Sequence, residues 1–307
     1  MADAERALPR AAPWMLQKER SNRAILRLMV WISLTCGRTP GRWVLHGIAL
    51  YFVLFAGQAR RASRQYLARA LGRVPRWTDG FRHVLGFAST IQDRVYLLND
   101  RFDLFDIEVT GSDELQQAMD RKSGALLVGA HLGSFEVLRS VGREKAGLKV
   151  AMLMYEQNAR KINETLEAIN PKASRDIIPL GRVESMLEVR EKLDAGYMVG
   201  FLADRSLGGD ATVQVPFLGQ PAAFPLGPWR MAAMLQRPVF FMTGLYLGGN
   251  RYRLHFELVE DFSCIARKER DAAIRGAVSR YVERLEHFCR QAPYNWFNFF
   301  DFWQPKK

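Results

Sequence analysis

Short continuous runs of apolar residues, separated by segments with helical periodicity, dominate the chain beyond residue 100. Residues 125–130, 149–154 and 197–203 are such runs, each as long as a strand and without polar alternation. Residues 159–169 and 183–194 lie between the second and third runs and read as helices. Strands that are apolar on both faces need cover on both sides of a sheet. The alternation therefore predicts an α/β fold with a central, mainly parallel sheet flanked by helices.

The segments nearer the end of the chain add a different kind of strand. Residues 238–247 and 251–260 are apolar-rich runs that flank a Gly-Gly-Asn sequence, which predicts a β-hairpin. Residues 265–290 have the length and charge content of one long helix, and residues 294–303 are densely aromatic. An antiparallel hairpin among parallel strands predicts that the sheet is mixed.

An apolar segment near the start of the chain indicates contact with a membrane. Residues 43–59 carry no formal charge over 17 positions, and a bilayer-spanning helix needs about 17–25 apolar residues. Residues 24–36 form a second apolar stretch, interrupted by Arg27. A short or tilted spanning helix and an interfacial helical hairpin with its turn at residues 37–41 both fit this pattern. An ordinary buried helix pair of a soluble domain is the third alternative.

The positive charge of the chain is concentrated in the same region. The net charge is +12, and 11 arginines but no Asp or Glu lie between Arg20 and Thr78. Such a surface attracts lipid phosphates, nucleic acids or acidic proteins. These arginines alternate with long apolar runs, and no zinc-finger, RNP or GXXG pattern is present, so an anionic membrane surface is favoured over nucleic acid. We therefore divide the chain into residues 1–80, membrane-associated helices, and residues 81–307, an α/β domain.

The cysteines indicate the compartment and the absence of a structural metal. Cys36, Cys264 and Cys289 lie far apart and form no paired motif. This spacing is typical of a reducing compartment without a disulfide framework. No closely spaced set of Cys and His ligands exists, so we expect neither a metal nor another cofactor.

The strongest chemical signal follows the first predicted strand directly. Residues 129–136 read Gly-Ala-His-Leu-Gly-Ser-Phe-Glu, which places His131 at the carboxyl end of a strand and Glu136 in the first turns of a helix. Ligand sites of α/β sheets commonly lie at this edge. A carboxylate that fixes the tautomer of an imidazole leaves the other ring nitrogen to take a proton from a hydroxyl. A hydrogen-bonded structural histidine is the alternative, and we expect it for the other four histidines.

The nucleophile for this base is expected to come from the substrate. The chain contains no G-x-S-x-G sequence, and its cysteines have no adjacent base. An oxyanion formed during the reaction would need hydrogen-bond donors. Backbone N–H groups near Gly133 or an arginine side chain are the candidates.

The block around His131 resembles the His-x4-Asp/Glu motif of the glycerolipid acyltransferase superfamily. The chain is more specifically similar to the bacterial lipid A late acyltransferases, the lauroyl/myristoyl acyltransferase family, and the likeness covers most of its length. The matching features are an N-terminal hydrophobic helix (43–59), the Gly-x-His-x4-Glu block (129–136), a strand that ends in Asp and a polar residue (200–205), a Phe-Leu-Gly block that leads into a helix (215–227), and an aromatic tail (296–303).

The resemblance implies acyl transfer from a thioester on acyl carrier protein to a hydroxyl of a membrane lipid or glycolipid of the lipid A type. In that reaction His131 is the general base and Glu136 orients it. Asp204 and Arg205 are expected to contact the polar head of the acceptor, and Arg182 and Asn158 are weaker candidates for the same contact. The implied location is the cytoplasmic face of a bacterial inner membrane.

Several positions depart from the family pattern. Ala130 stands where many members have Asn, and Asp204-Arg205 replaces commoner Asp-Gln or Asp-His pairs. Pro225 and Gly227 stand where small hydroxyl residues are frequent. These departures leave the acceptor open. Acylation of an aryl-polyene or another envelope lipid by the same chemistry and a non-catalytic, lipid-binding relative are the alternatives.

Overall fold

The computed structural model describes residues 30–31, 33–120, 124–138, 141, 149–155, 169–170, 177–180, 183–206 and 211–303. The helices are α1 (Arg38–Phe55), α2 (Gly57–Leu71), α3 (Trp77–Leu98), α4 (Ser112–Asp120), α5 (Val183–Asp194), α6 (Gly227–Leu235) and α7 (Arg270–Gln291). The strands are β1 (Asp106–Thr110), β2 (Ala125–Gly129), β3 (Val150–Tyr155), β4 (Ile177–Leu180), β5 (Met198–Leu202), β6 (Thr212–Phe217), β7 (Gln220–Pro225), β8 (Pro238–Gly248) and β9 (Arg251–Asp261). Helical residues also occur at 33–36 and 135–138. Asn158, Arg182 and most of the helix predicted at residues 159–169 lie outside the described residues.

The central sheet confirms the predicted mixed, mainly parallel arrangement. Within the described residues its strand order is β1-β9-β8-β2-β5-β3-β4. Strands β2, β3, β4, β5 and β8 run in one direction, while β9 pairs with β8 antiparallel and β1 pairs with β9 parallel. The hairpin predicted at Gly-Gly-Asn joins β8 to β9. Strands β6 and β7 form a separate antiparallel pair.

The apolar character of β2 follows from cover on both faces of the sheet. Successive side chains of a strand point to opposite faces. Leu126 and Val128 belong to a core cluster that also contains residues of α6 and α7. Ala125 and Leu127 belong to a second cluster on the other side, which contains Leu115 of α4. Both faces of β2 are therefore covered, and all of its side chains are apolar.

Helix α1 packs along one side against α3. Its buried residues are Gly41, Leu45, Ala49 and Val53, which recur every four residues and so form one face. A Cβ at Gly41 would lie 1.9 Å from the side-chain nitrogen of Gln92 in α3, so the two helices approach closely there.

A buried carboxylate joins α1 to the α/β part of the fold. Arg38 Nε and Arg42 Nη2 lie 2.8 Å and 2.6 Å from the oxygens of Asp93, which is fully buried in α3. The hydroxyl of Tyr252 in β9 donates to the same carboxylate at 2.7 Å. A buried carboxylate needs such partners to remain charged.

The face of α1 that points away from α3 is apolar and exposed. Trp43 is 77% exposed, Leu54 55% and Phe55 67%, while a helix face in contact with water is normally polar. In the part of the chain that the structure describes, no helix is both long and apolar enough to cross a membrane.

Candidate active site

The pairing of β2 with β5 brings His131 and Asp204 together. Gly129 is opposite Leu202 in the parallel register, and each site residue follows its strand by two positions. His131 Nδ1 lies 2.9 Å from Asp204 Oδ1. The backbone N–H of His131 donates to Asp204 Oδ2 at 3.1 Å. The two residues therefore form one hydrogen-bonded unit at the carboxyl edge of the sheet.

Asp204 is buried and ionised. Its exposed fraction is 0%, and the indole N–H of Trp296 donates to Oδ2 at 3.0 Å. Burial alone would raise the pKa of Asp204, but the charge and hydrogen bond of His131, the charge of Arg205 and the Trp296 indole outweigh it and hold this pKa well below its usual value. The group at Nδ1 is thus a carboxylate at neutral pH.

The carboxylate determines the tautomer of His131. An ionised carboxylate only accepts hydrogen bonds, so Nδ1 carries the proton and Nε2 of the neutral ring has a free lone pair. Burial and the positive charge of Arg205 lower the pKa of His131, against the opposing effect of Asp204. The imidazole side chain is 34% exposed. His131 at neutral pH is therefore a neutral, accessible base.

The partner of Nδ1 differs from the one expected. Glu136 was predicted to orient the imidazole, but the carboxylate in contact with Nδ1 is Asp204. Glu136 lies in the helical turn that begins at Phe135, and only 4% of it is exposed. Asp204 reaches Nδ1 because β5 is the immediate neighbour of β2. Asp204 is completely buried, and its expected contact with an acceptor head group stays a prediction.

The turn after His131 requires glycine. Gly133 has a φ of +72°, and a Cβ there would lie 2.0 Å from the carbonyl oxygen of Gly244 in β8. The N–H of Gly133 donates to the carbonyl of Asn295 at 2.9 Å, and the N–H of Ser134 donates to that of Gly244 at 2.8 Å. The expectation that backbone N–H groups near Gly133 stabilise an oxyanion is therefore wrong for these two donors, which are already used within the fold.

Arg205 supplies positive charge beside the imidazole. Its Nη2 donates to the carbonyl of Phe297 at 3.1 Å, and its guanidinium lies 5.0 Å from the ring centre of Phe300. Burial lowers the pKa of Arg205, against the charge of Asp204. The side chain is half-buried. Its predicted contact with an acceptor stays a prediction.

The aromatic tail forms part of the site, which the sequence did not reveal. Residues 295–297 run alongside residues 131–133, and the N–H of Phe297 donates to the carbonyl of His131 at 2.8 Å. The density of aromatic residues in the tail was visible in the sequence. Nothing local indicated that the Trp296 indole would reach a carboxylate on β5, because this contact joins residues 92 positions apart.

The described residues offer no site for a metal ion. No group of three or more His, Cys, Asp or Glu side chains suited to metal binding occurs among them. The three cysteines are free, with Cys36 and Cys264 exposed and Cys289 buried.

Comparison with known proteins identifies one family. The model of the bacterial lipid A biosynthesis acyltransferase family matches residues 85–304. A search of curated proteins finds no match. The matched span includes His131, Glu136, Asp204 and Trp296, together with the whole central sheet.

Proposed function

The chain belongs to the bacterial lipid A biosynthesis acyltransferase family and is therefore an acyltransferase, and from that premise we propose that it acylates a hydroxyl of a membrane glycolipid of the lipid A type. The acyl donor in this proposal is a thioester on acyl carrier protein. The observation that carries the proposal is the 2.9 Å contact between His131 Nδ1 and Asp204 Oδ1, which leaves Nε2 basic.

The proposed reaction proceeds in one transfer without an acyl-enzyme intermediate. Nε2 of His131 takes the proton of the acceptor hydroxyl while that oxygen attacks the carbonyl carbon of the thioester. The C–O bond forms, the C–S bond breaks, and the imidazolium returns the proton to the departing sulfur. A lowered pKa of His131 supports this role, because the base must be unprotonated before the reaction begins.

Asp204 has the role of orienting the base in this proposal. Its carboxylate fixes the ring and stabilises the imidazolium that forms during proton transfer, as the carboxylate of a hydrolase triad does. Because Asp204 is buried, its interaction with that charge is screened little by water. Glu136 is kept in the proposal as a second acidic residue of the site. Its contribution to catalysis is measured by comparing the loss of kcat when Glu136 is substituted with the loss when Asp204 is substituted.

Arg205 is the proposed group that stabilises the oxyanion. Its charge lies close enough to lower the pKa of His131, and the N–H groups of Gly133 and Ser134 donate elsewhere. A guanidinium beside the reacting carbonyl would stabilise negative charge on its oxygen. Asn158 and Arg182 are retained as proposed contacts of the acceptor head group.

The exposed face of α1 is the proposed membrane contact, at the cytoplasmic face of a bacterial inner membrane. Arg60, at the start of α2, donates to the carbonyl of Val53 in α1 at 3.1 Å, and α2 and the turn after it carry further exposed arginines, Arg61, Arg64, Arg73 and Arg76. An apolar helix face beside cationic side chains is typical of a helix that lies in the interface of an anionic bilayer. Each arginine near such a surface contributes about 1 kcal/mol. The same arginines would attract an acidic carrier protein.

Mass spectrometry of envelope lipids tests the proposal. A deletion strain is compared with strains complemented by the wild-type gene and by His131→Ala. We expect lipid A to lose one acyl chain in the deletion strain and in the His131→Ala strain, and to regain it with the wild type. Loss of an acyl chain from an aryl-polyene lipid with lipid A intact would identify the other acceptor. Identical lipids in all strains would contradict the proposed acylation.

A further inference from the structure

We propose that Trp296 is a positioning residue for acyl transfer. Its indole N–H holds the carboxylate of Asp204 in the plane from which this carboxylate orients the imidazole of His131. This inference rests on the proposed role of His131 as the base. It adds a second residue behind the imidazole, from a part of the chain that is distant in sequence from both His131 and Asp204.

The hydrogen bonds of Asp204 determine the orientation of its carboxylate. Oδ1 receives the ring N–H of His131, while Oδ2 receives the backbone N–H of His131 at 3.1 Å and the indole N–H of Trp296 at 3.0 Å. Two of these three donors belong to His131 itself, whose ring the carboxylate is to orient. The indole comes from another part of the chain, so it holds Oδ2 independently of His131 and restrains rotation of the carboxylate.

Trp296 is itself held rigidly. Only 1% of it is exposed, and its ring packs edge-on against those of Tyr66, Phe217 and Phe302, with centres 4.8–5.3 Å apart. Edge-to-face contacts at this spacing are favourable aromatic geometry. The indole N–H therefore has a fixed position from which to donate.

The backbone of Trp296 is anchored by a buried histidine. His83 Nε2 donates to the carbonyl of Trp296 at 2.8 Å, and the hydroxyl of Ser63 lies 2.7 Å from Nδ1. A carbonyl only accepts, so Nε2 carries the proton and Ser63 donates to Nδ1. Hydrogen bonds thus connect Ser63 in α2 to His83 and His83 to the backbone of Trp296, and the indole of Trp296 in turn donates to Asp204.

Removal of the indole N–H has a predictable effect on the base. A carboxylate with one donor fewer attracts the imidazolium more strongly, so the pKa of His131 rises. Among the described residues, the other ionisable groups that act on or feel the charge of Asp204 are Arg205 and, on α7, Tyr281 and Cys289, and a substitution at Trp296 changes none of them. The looser carboxylate also holds the ring less well.

The test compares Trp296→Phe with Trp303→Phe in the full-length chain. Trp303 lies in the same tail and packs on Phe217, but its indole donates to the carbonyl of Phe217 at 3.3 Å and not to Asp204. Two measurements are made: the pKa of His131 by NMR of labelled histidine, and kcat and KM against pH with fatty-acyl carrier protein and an under-acylated lipid A precursor. If Trp296→Phe does not fold, benzothienylalanine, which keeps the ring shape and replaces N–H by sulfur, is introduced instead.

We expect Trp296→Phe to raise the pKa of His131, and the acid limb of kcat/KM with it, by about 0.5–1 unit. We expect kcat to fall about tenfold with KM nearly unchanged, and Trp303→Phe to leave the pKa of His131 at its wild-type value. An unchanged pKa in Trp296→Phe, or an equal shift in Trp303→Phe, would overturn the inference. If the wild type transfers no acyl group, only the proposed function is contradicted. The NMR measurement of the His131 pKa does not depend on turnover and still tests the role of Trp296.

Discussion

Asp204 Oδ1 lies 2.9 Å from His131 Nδ1, although 73 residues separate the two in the chain. The contact exists because β2 and β5 are adjacent and parallel, and both residues follow their strands at the same edge of the sheet. It gives the imidazole a defined tautomer and leaves Nε2 as the basic atom.

Asp204→Asn is expected to reduce kcat by at least about 100-fold, within the range known for loss of a general base. The side-chain amide has nearly the same shape, but its NH2 group would donate to Nδ1 and drive the proton to Nε2, so the base is lost. KM should change little because Asp204 is buried. The measurement is acyl transfer from fatty-acyl carrier protein to an under-acylated lipid A precursor in detergent micelles.

Glu136→Gln is the matched comparison for Asp204→Asn. Both substitutions replace a buried carboxylate by an amide, and Asp204 is the carboxylate whose oxygen lies 2.9 Å from Nδ1. We expect the smaller loss of kcat in Glu136→Gln. The reverse order, with near-normal kcat in Asp204→Asn, would return the orienting role to Glu136.

Gly133→Ala is expected to lower the free energy of unfolding by at least about 3 kcal/mol, since it combines a positive φ with a forced backbone contact. Gly196→Ala is the control, because Gly196 has a φ of +77° but no atom within 4 Å of an added Cβ. Its cost should be about 1–2 kcal/mol, from φ alone. Urea unfolding followed by circular dichroism measures both. An equal loss of unfolding free energy in the two variants would contradict this, because the added Cβ at Gly133 would then be accommodated without cost from the contact with Gly244.

The apolar face of α1 predicts binding to anionic vesicles. The double variant Trp43→Ser, Phe55→Ser is expected to weaken vesicle binding by at least about 100-fold, because each large side chain contributes about 1.5–3 kcal/mol when it leaves water. Sedimentation with vesicles that contain phosphatidylglycerol measures this. Leu187→Ser in α5, at a side chain that is 59% exposed, is the control and should bind like the wild type. If the double variant binds vesicles as tightly as the wild type does, this face of α1 is excluded as the membrane contact.

The buried His83 predicts a loss of stability in mild acid. Burial lowers the pKa of His83 from 6.5 to about 4, against its hydrogen bond to Trp296. The unfolded chain therefore binds more protons between these values, and stability falls as pH drops from 6.5 towards 4. Between pH 7 and pH 5 this one group should cost about 2 kcal/mol.

Unfolding at these two pH values separates His83 from other groups. His83→Gln should lose less stability than the wild type between pH 7 and pH 5, even though the variant is less stable at pH 7. His287→Gln, at an exposed histidine of α7, should behave as the wild type does. A pH dependence that is the same in all three proteins would contradict a neutral, buried His83.

The parts of the fold that could be predicted from the sequence are those encoded locally. The apolar run of β2 and the turn at His131 are contiguous, and the Gly-Gly-Asn sequence between β8 and β9 identifies its own hairpin. The order of the strands is not local. Nothing near His131 indicates that β5 is the neighbour of β2, so Glu136, only five positions away, was assigned the contact that belongs to Asp204.

The same limit applies to the tail and to α1. The aromatic residues of the tail were evident, but the contact of Trp296 depends on where the chain returns after α7. Residues 43–59 read as one uncharged apolar run, whereas α1 ends at Phe55 and buries one of its faces against α3. An apolar run carries no indication of which of its faces another helix will cover.

Acyl transfer by the purified wild type and by His131→Gln tests the central claim most directly. Both proteins are given fatty-acyl carrier protein and an under-acylated lipid A precursor at pH 7.5, and circular dichroism confirms that both are folded. We predict a rate about 10²- to 10⁴-fold lower for His131→Gln, as expected when a general base is removed. A folded His131→Gln protein with the rate of the wild type would contradict the assignment of His131 as the base.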